Sequence, residues 1–305
     1  MEITIARTAG FCWGVRRTVD KVLKTIDEGR SRVATLGPVI HNPQTIEKFE
    51  SKGVRVYQQV EDVPDGTTLV IRTHGAVVPQ QRLAKDRGLE VIDGTCPYVK
   101  FPQVMAQRLT REGYHLIIVG DENHAEIKGV ASYAEGPYTI VRAGADLPEL
   151  PGVKKVAIIS QTTNDAAHFR KVVAEAAVRF REVRAINTIC YDTGERQTEV
   201  RELCRKVDVL VVVGGRMSAN TRHLAEIGAE ILPPERVHHV ERADELRPEW
   251  FEGIERVGIS AGASTPDDVI DEVVERIASF ARGEVRRTVH TPSFTPTHAN
   301  RGSAS

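Results

Sequence analysis

Short apolar runs recur along the whole chain, and amphipathic stretches separate them: "SRVATLGPVI", "TLVIRTHG", "LEVIDGTC", "YHLIIVGD", "KKVAIISQTT", "VRAINTIC", "DVLVVVGG" and "ERVGISAGAS". Each is four to six residues of mostly Val, Ile, Leu or Ala that then gives way to a polar residue or Gly, which reads as a strand buried on both faces. Strands of this kind alternating with helical patterns predict parallel sheets covered on both sides, an α/β protein. In such folds ligands collect where the carboxyl ends of the strands run into loops.

A partial repeat sharpens this. "TLVIRTHGAVVPQQRLAKDRGLEVIDGTC" and "KVAIISQTTNDAAHFRKVVAEAAVRFREVRAINTIC" are each strand, polar turn, helix, strand and a closing cysteine, so pseudo-symmetric lobes are expected. With 305 residues, 41% of them hydrophobic, the chain has ample core for more than one domain. The last stretch, "TVHTPSFTPTHANRGSAS", is rich in Ser, Thr and Pro without periodicity and is expected to be a disordered tail.

Charge excludes some partners. Forty-one basic residues against forty-two acidic ones leave a net charge of -1, so no overall field draws the protein to nucleic acid or an anionic membrane. The segment Met1 to Ala9 carries Glu2 and lacks a signal-like apolar core, and the apolar run Val209 to Val213 is too short to span a bilayer. A cytoplasmic protein is expected. Four cysteines without a CxxC pair argue against a disulfide scaffold, a zinc ribbon or a thioredoxin-type site.

Three of those cysteines share one context. Cys12 in "AGFCWGV", Cys96 in "DGTCPYV" and Cys190 in "NTICYDTGERQ" each follow an extended segment and precede a helix. For Cys12 the helix is marked by Val15, Val19, Val22, Leu23 and Ile26 on one face and by Gly29 at its end. A thiolate there is favoured by the helix dipole and free amides, so all three are expected to deprotonate readily. They are either separate buried residues or the ligands of one metal centre, for which an iron–sulfur cluster with one open corner suits three distant thiolates better than zinc. Cys204 lies on an apolar helical face with Val200, Leu203 and Val207 and is expected in the core.

Polar residues fall at the other strand ends: His41, His74 and His124, and the hydroxyl-rich turns Ser160 to Thr163, Ser218 to Thr221 and Ser264-Thr265. Any one of these is adequately explained as a surface histidine or a helix cap. Taken together they suit a small phosphate or carboxylate ligand held without a P-loop. Glu126, two residues after His124, is the carboxylate placed to act as a proton donor if it has a catalytic neighbour, and is otherwise an ordinary helix-start acid.

In this order, "AGFCWGV", "GPVIHNPQ", "THG", "DGTCPYV", "HAE", "QTT", "NTICYDTGERQ", "SAN" and "AGASTP" resemble the 4-hydroxy-3-methylbut-2-enyl diphosphate reductase family of the non-mevalonate isoprenoid pathway, over about residues 1 to 280. The resemblance implies three pseudo-symmetric α/β lobes with mostly parallel sheets around a central 4Fe–4S cluster. Their bounds would be 15–96, 97–187 and 188–282 completed by 1–14, with 283–305 as the tail. It implies that Cys12, Cys96 and Cys190 hold the cluster and leave one iron open. His41, His74 and His124 stand at its substrate-contacting positions, Ser218, Asn220 and Ser264 at its diphosphate-binding positions, Thr162 beside the substrate hydroxyl and Glu126 at the proton-relay acid. The implied reaction is reductive dehydroxylation to isopentenyl and dimethylallyl diphosphate, Glu126, Thr162 and His124 delivering the proton and a ferredoxin or flavodoxin the electrons.

Two positions depart from the family pattern. Ala219 replaces the middle hydroxyl of the "Ser-Ser-Asn" turn, which implies weaker diphosphate binding, and Asp121 and Glu122 bring carboxylates to the loop before His124. Two other activities fit three cysteines and an open iron. A hydro-lyase would turn over without reductant, and an oxygen-sensing regulator would not turn over at all.

Overall fold

The computed structural model describes residues 1–30, 32–142 and 144–293. Among these residues the strands are β1 (Glu2–Ile5), β2 (Val33–Leu36), β3 (Arg55–Tyr57), β4 (Thr68–Ile71), β5 (Glu90–Asp93), β6 (His115–Val119) and β7 (Tyr138–Val141). They continue with β8 (Lys155–Ser160), β9 (Glu182–Ala185), β10 (Val209–Val213), β11 (Val237–Val240), β12 (Arg256–Ala261) and β13 (Arg286–Val289). The helices are α1 (Trp13–Asp27), α2 (Pro43–Glu50), α3 (Val78–Asp86), α4 (Pro97–Arg111) and α5 (Ala125–Ala131). Four more follow: α6 (Ala166–Arg179), α7 (Tyr191–Cys204), α8 (Ala219–Ala229) and α9 (Asp267–Phe280).

The strands form three sheets, and every paired neighbour is parallel. Their orders are β3-β2-β4-β5, β7-β6-β8-β9 and β11-β10-β12-β1-β13. The first two sheets share one plan, in which the second strand in sequence takes one edge and the third and fourth extend the other way. The last sheet repeats it with a permutation: β1, from the chain's start, occupies the place of β5 and β9, and β13 adds a fifth strand beside it.

The chain divides into two compact units. One comprises Met1–Arg16, Ile40–Thr45 and the described residues from Tyr191 onward, and it holds the five-stranded sheet. The other comprises Arg17–Val39 and Ile46–Cys190 and holds the two four-stranded sheets.

Alternation along β6 and β8 shows why these strands read as continuous apolar runs. Leu116, Ile118, Ala157 and Ile159 pack on one face with Ala106, Leu109, Ile127 and Val130, while Ile117, Val119, Val156 and Ile158 pack on the other with Phe169, Val172 and Ala176. Both faces are dry, so each Val, Leu and Ile side chain among them gains the full burial term of about 1.5–3 kcal/mol.

Two sequence expectations change here. "LEVIDGTC" and "VRAINTIC" form β5 and β9, which are strands but are half-exposed edges rather than buried ones. Residues 286–289 of the expected tail form β13, paired with β1 from Glu2↔Arg286 to Ile5↔Val289. Hydrophobicity does not drive this strand. The open backbone edge of β1 does, and the His290 amide extends the ladder to Ile5 O at 2.8 Å. Residues 294–305 of the expected tail lie outside the described residues.

Candidate active site

Cys12, Cys96 and Cys190 stand in one repeated local geometry. Past the carboxyl end of the fourth strand of each plan, backbone pairing to the neighbouring strand continues through Ala6 N to Ile259 O, Gly94 N to Ile71 O and Ile186 N to Ile158 O. Each cysteine amide then donates to the loop that follows that neighbour: Cys12 to Ala263 O at 3.0 Å, Cys96 to Thr73 O at 3.0 Å and Cys190 to Thr162 O at 2.8 Å. A helix begins at the next residue in all three cases, with Pro97 supplying the preset φ for α4.

The thiols are partly exposed, and none of the four cysteines is in a disulfide among the described residues. The Val15 amide donates to the Cys12 sulfur at 3.4 Å. Cys96 corrects the expectation of a ready thiolate. Burial pushes its thiol upward, the Glu126 carboxylate adds to this, and the Tyr98 and Val99 amides and Arg17 only partly oppose it. Metal coordination, which removes a thiol proton outright, is the agent that would ionise it. Cys204 is 2% exposed inside the core of its unit, with its thiol pushed up to about 11 by burial. Three partly exposed thiols stand just past strand ends and one is sealed in the core, and only the former are of a kind that could serve as soft-metal ligands.

Around Cys190 the polar residues of the second unit form a connected set. Glu126, in the first turn of α5, is fully buried; the Thr162 amide donates to its Oε1 and the Thr162 hydroxyl to its Oε2, both at 2.6 Å. Burial raises this carboxyl to about 7, against the opposing pull of the two Thr162 bonds. His124 caps α5, its Nδ1 accepting the Glu126 amide at 3.2 Å, so a neutral ring carries its proton on Nε2. The His74 ring meets the His124 ring edge-on with centroids 5.2 Å apart. In the acidic loop before His124, Glu122 pairs with Arg142, and Asp121 accepts the Asn123 amide.

The first unit collects the other set. Ser218 caps α8, accepting the Thr221 amide at 3.3 Å, which is the ordinary role of a serine before a helix. Ser264 Oγ donates to His41 O at 3.4 Å. Asn220 is different. It is 5% exposed, and neither its Nδ2 nor its Oδ1 has a hydrogen-bond partner among the described residues. Leaving a buried polar group unsatisfied costs about 1–3 kcal/mol, which a bound polar ligand would recover.

The sequence reading passed over the glycines beside this set. A Cβ on Gly215 would stand 2.6 Å from His41 O, one on Gly262 2.0 Å from Thr221 Oγ1, and one on Gly214, at φ +141°, 2.4 Å from Thr265 Oγ1. They let three backbone turns close on the helix start. The "GG" after "DVLVVV" and the glycine in "SAGAS" were the only signals.

Comparison with known proteins gives the chain its family. A family model described as LytB protein matches residues 3–278. The 4-hydroxy-3-methylbut-2-enyl diphosphate reductase of Anaeromyxobacter sp. (strain Fw109-5) is 61% identical over 93% of this chain and 98% of its own. The enzyme of that name from Aquifex aeolicus (strain VF5) is 42% identical over 93% of this chain and 99% of its own. A solved structure of (E)-4-hydroxy-3-methyl-but-2-enyl diphosphate reductase, the terminal enzyme of the non-mevalonate pathway, shares 42% identity. It aligns over 91% of this chain and 99% of its own with a TM-score of 0.68. The Plasmodium falciparum enzyme structure, 24% identical, shares the fold over 97% of this chain and 94% of its own with a TM-score of 0.84. By the extent of the family match and the identity of these full-length relatives, the chain belongs to the LytB protein family.

Proposed function

We propose that this chain reduces 4-hydroxy-3-methylbut-2-enyl diphosphate, removing its allylic hydroxyl to give isopentenyl and dimethylallyl diphosphate. The observation that carries the reading is the match of residues 3–278 to a family whose full-length relatives bear that activity in their names. The reaction consumes two electrons and two protons and releases water, so the site must hold an anion, admit electrons and deliver a proton.

Cys12, Cys96 and Cys190 would hold a 4Fe–4S cluster with one iron free of protein ligands, which when bound supplies Lewis acidity and accepts electrons singly. The remaining work falls to the chain's own groups. Ser218, Asn220 and Ser264, with the amides at the start of α8, bind the diphosphate, and His41, His74 and His124 donate to the substrate's oxygens. Glu126 stores the proton. With its carboxyl near 7 it is substantially protonated at neutral pH, and it then donates to the Thr162 hydroxyl, whose own proton turns toward the departing oxygen. His124, with its proton on Nε2, orients that oxygen.

A ferredoxin or flavodoxin is the proposed electron donor and the cytoplasm the proposed location. No helix among the described residues is long and apolar enough to cross a membrane. A Mössbauer spectrum of the anaerobically reconstituted, iron-labelled protein tests the reading. One iron with distinct parameters that shift on adding the substrate is expected. A cluster indifferent to the compound would refute it.

A further inference from the structure

The segment that carries Cys12 has little regular structure of its own. After β1 ends at Ile5 the chain runs through Ala6–Phe11 largely buried, so its backbone groups need partners from elsewhere. Helix α7 supplies them. Glu199, fully buried, accepts the Arg7 amide at 2.7 Å, the Thr8 amide at 2.9 Å and the Thr8 hydroxyl at 2.6 Å. Three residues earlier on the same helix, the fully buried Arg196 donates through Nη2 to Gly10 O at 2.9 Å and through Nη1 to Ala261 O at 2.9 Å. Gly10 has φ +101°, a conformation that other residues rarely adopt.

The fork therefore spans both sides of Cys12. Gly10 lies two residues before it, and Ala261 lies two residues before Ala263, the acceptor of the Cys12 amide. Asp192 holds the fork from behind, at 2.6 Å to Nε and 3.3 Å to Nη2, and His290 Nδ1 steadies Glu199 at 3.1 Å. A buried guanidinium is costly to desolvate, and apolar residues would fill the same space more cheaply. The charge is answered first by Asp192 and, beyond it, by the Cys12 sulfur and Glu199, so it bears on that thiol as well.

We infer that Arg196 is a positioning residue for Cys12, bracing with Glu199 the two strand ends that aim this sulfur and placing a fixed positive charge beside the cluster it would hold. The inference rests on the reading of Cys12 as a cluster ligand. Losing the cation while Asp192 remains makes an added electron less welcome, so the cluster's midpoint potential moves down.

The test compares wild type, Arg196→Gln, Arg196→Lys, Thr8→Val and Cys12→Ser. In the cluster-free proteins, hydrogen exchange at the Thr8 and Cys12 amides is expected to lose at least tenfold protection in Arg196→Gln, with the Cys96 amide unchanged. In the reconstituted proteins, an EPR-monitored titration is expected to show a lower potential for Arg196→Gln and a smaller drop for Arg196→Lys, which keeps the charge but not the fork. Wild-type protection and wild-type potential in Arg196→Gln would overturn the inference. Should that variant not fold, Arg196→Lys and Thr8→Val decide in the same way, through selective loss of protection around Cys12 or its absence. Cys12→Ser separates the two readings. If it keeps full iron content, the ligand assignment falls and this inference with it. If it loses iron while the Arg196 variants match wild type, only the positioning role falls.

Discussion

Glu126 shows how one residue's burial sets both chemistry and stability. Its carboxyl is raised from 4.5 to about 7, so between those values the folded protein holds a proton that the unfolded chain has released. Stability therefore falls as pH rises through this window and is fully retained below it. At 1.36 kcal/mol per unit the loss approaches about 3 kcal/mol above pH 7. Glu126→Gln, which keeps an acceptor for the Thr162 amide, should make the cluster-free protein more stable than wild type at pH 8 and leave the two alike at pH 4. Thermal melts at both pH values check this, and equal melting at pH 8 would mean the carboxyl is not raised. The same variant should keep its cluster and its substrate affinity while losing at least a hundredfold in turnover. Ala219 makes the second prediction at this scale. It follows the Ser218 cap at the start of α8, and a serine there adds a donor worth about 0.5–1.5 kcal/mol. Ala219→Ser should lower KM roughly two- to tenfold with kcat unchanged.

At the scale of elements, the candidate residues of each unit follow strand ends, and this decides what could be read in advance. Buried central strands such as β10 announce themselves as "VLVVV", and a cysteine or histidine just beyond such a run is conspicuous. Edge strands are not, since β13 reads "RRTV" and exists through backbone pairing with β1. Arg196 and Glu199 were equally hidden. "TGERQTEV" looks like a solvated helix face, and only the fold shows that both charges are buried against the Cys12 segment. The glycines were missed because their role is the absence of a Cβ where two turns meet. A methyl on Gly215 would press on the His41 carbonyl, which is backbone and has little freedom to yield. Gly215→Ala should therefore raise KM more than tenfold while iron content stays at wild-type level; loss of iron instead would place the strain at the cysteines. Cys204 gives the converse. Cys204→Ser puts a hydroxyl into the core behind β10 and β12, so it should cost about 1–3 kcal/mol in melting and leave the cluster intact.

For the molecule as a whole, three sheets share one strand order, but the chain closes only two of them in sequence and borrows β1 to finish the third. Its net charge of -1 leaves recognition of a diphosphate to local groups, and the residues proposed for that role, His41, Ser218, Asn220 and Ser264, all belong to the unit built on that borrowed strand. This unit should therefore respond to an anion without any cluster. Inorganic pyrophosphate at a hundred times its Kd is expected to stabilise the cluster-free protein by about 2.7 kcal/mol, in the thermal transition that contains this unit. Asn220 gives the effect a distinctive sign. Its amide is buried without a partner among the described residues, so Asn220→Leu removes an unsatisfied group of similar volume and should leave the free protein as stable as wild type or more so. The same change should abolish most of the stabilisation by pyrophosphate. A variant that is less stable on its own and gains as much from the anion as wild type would show that Asn220 serves the fold rather than the ligand.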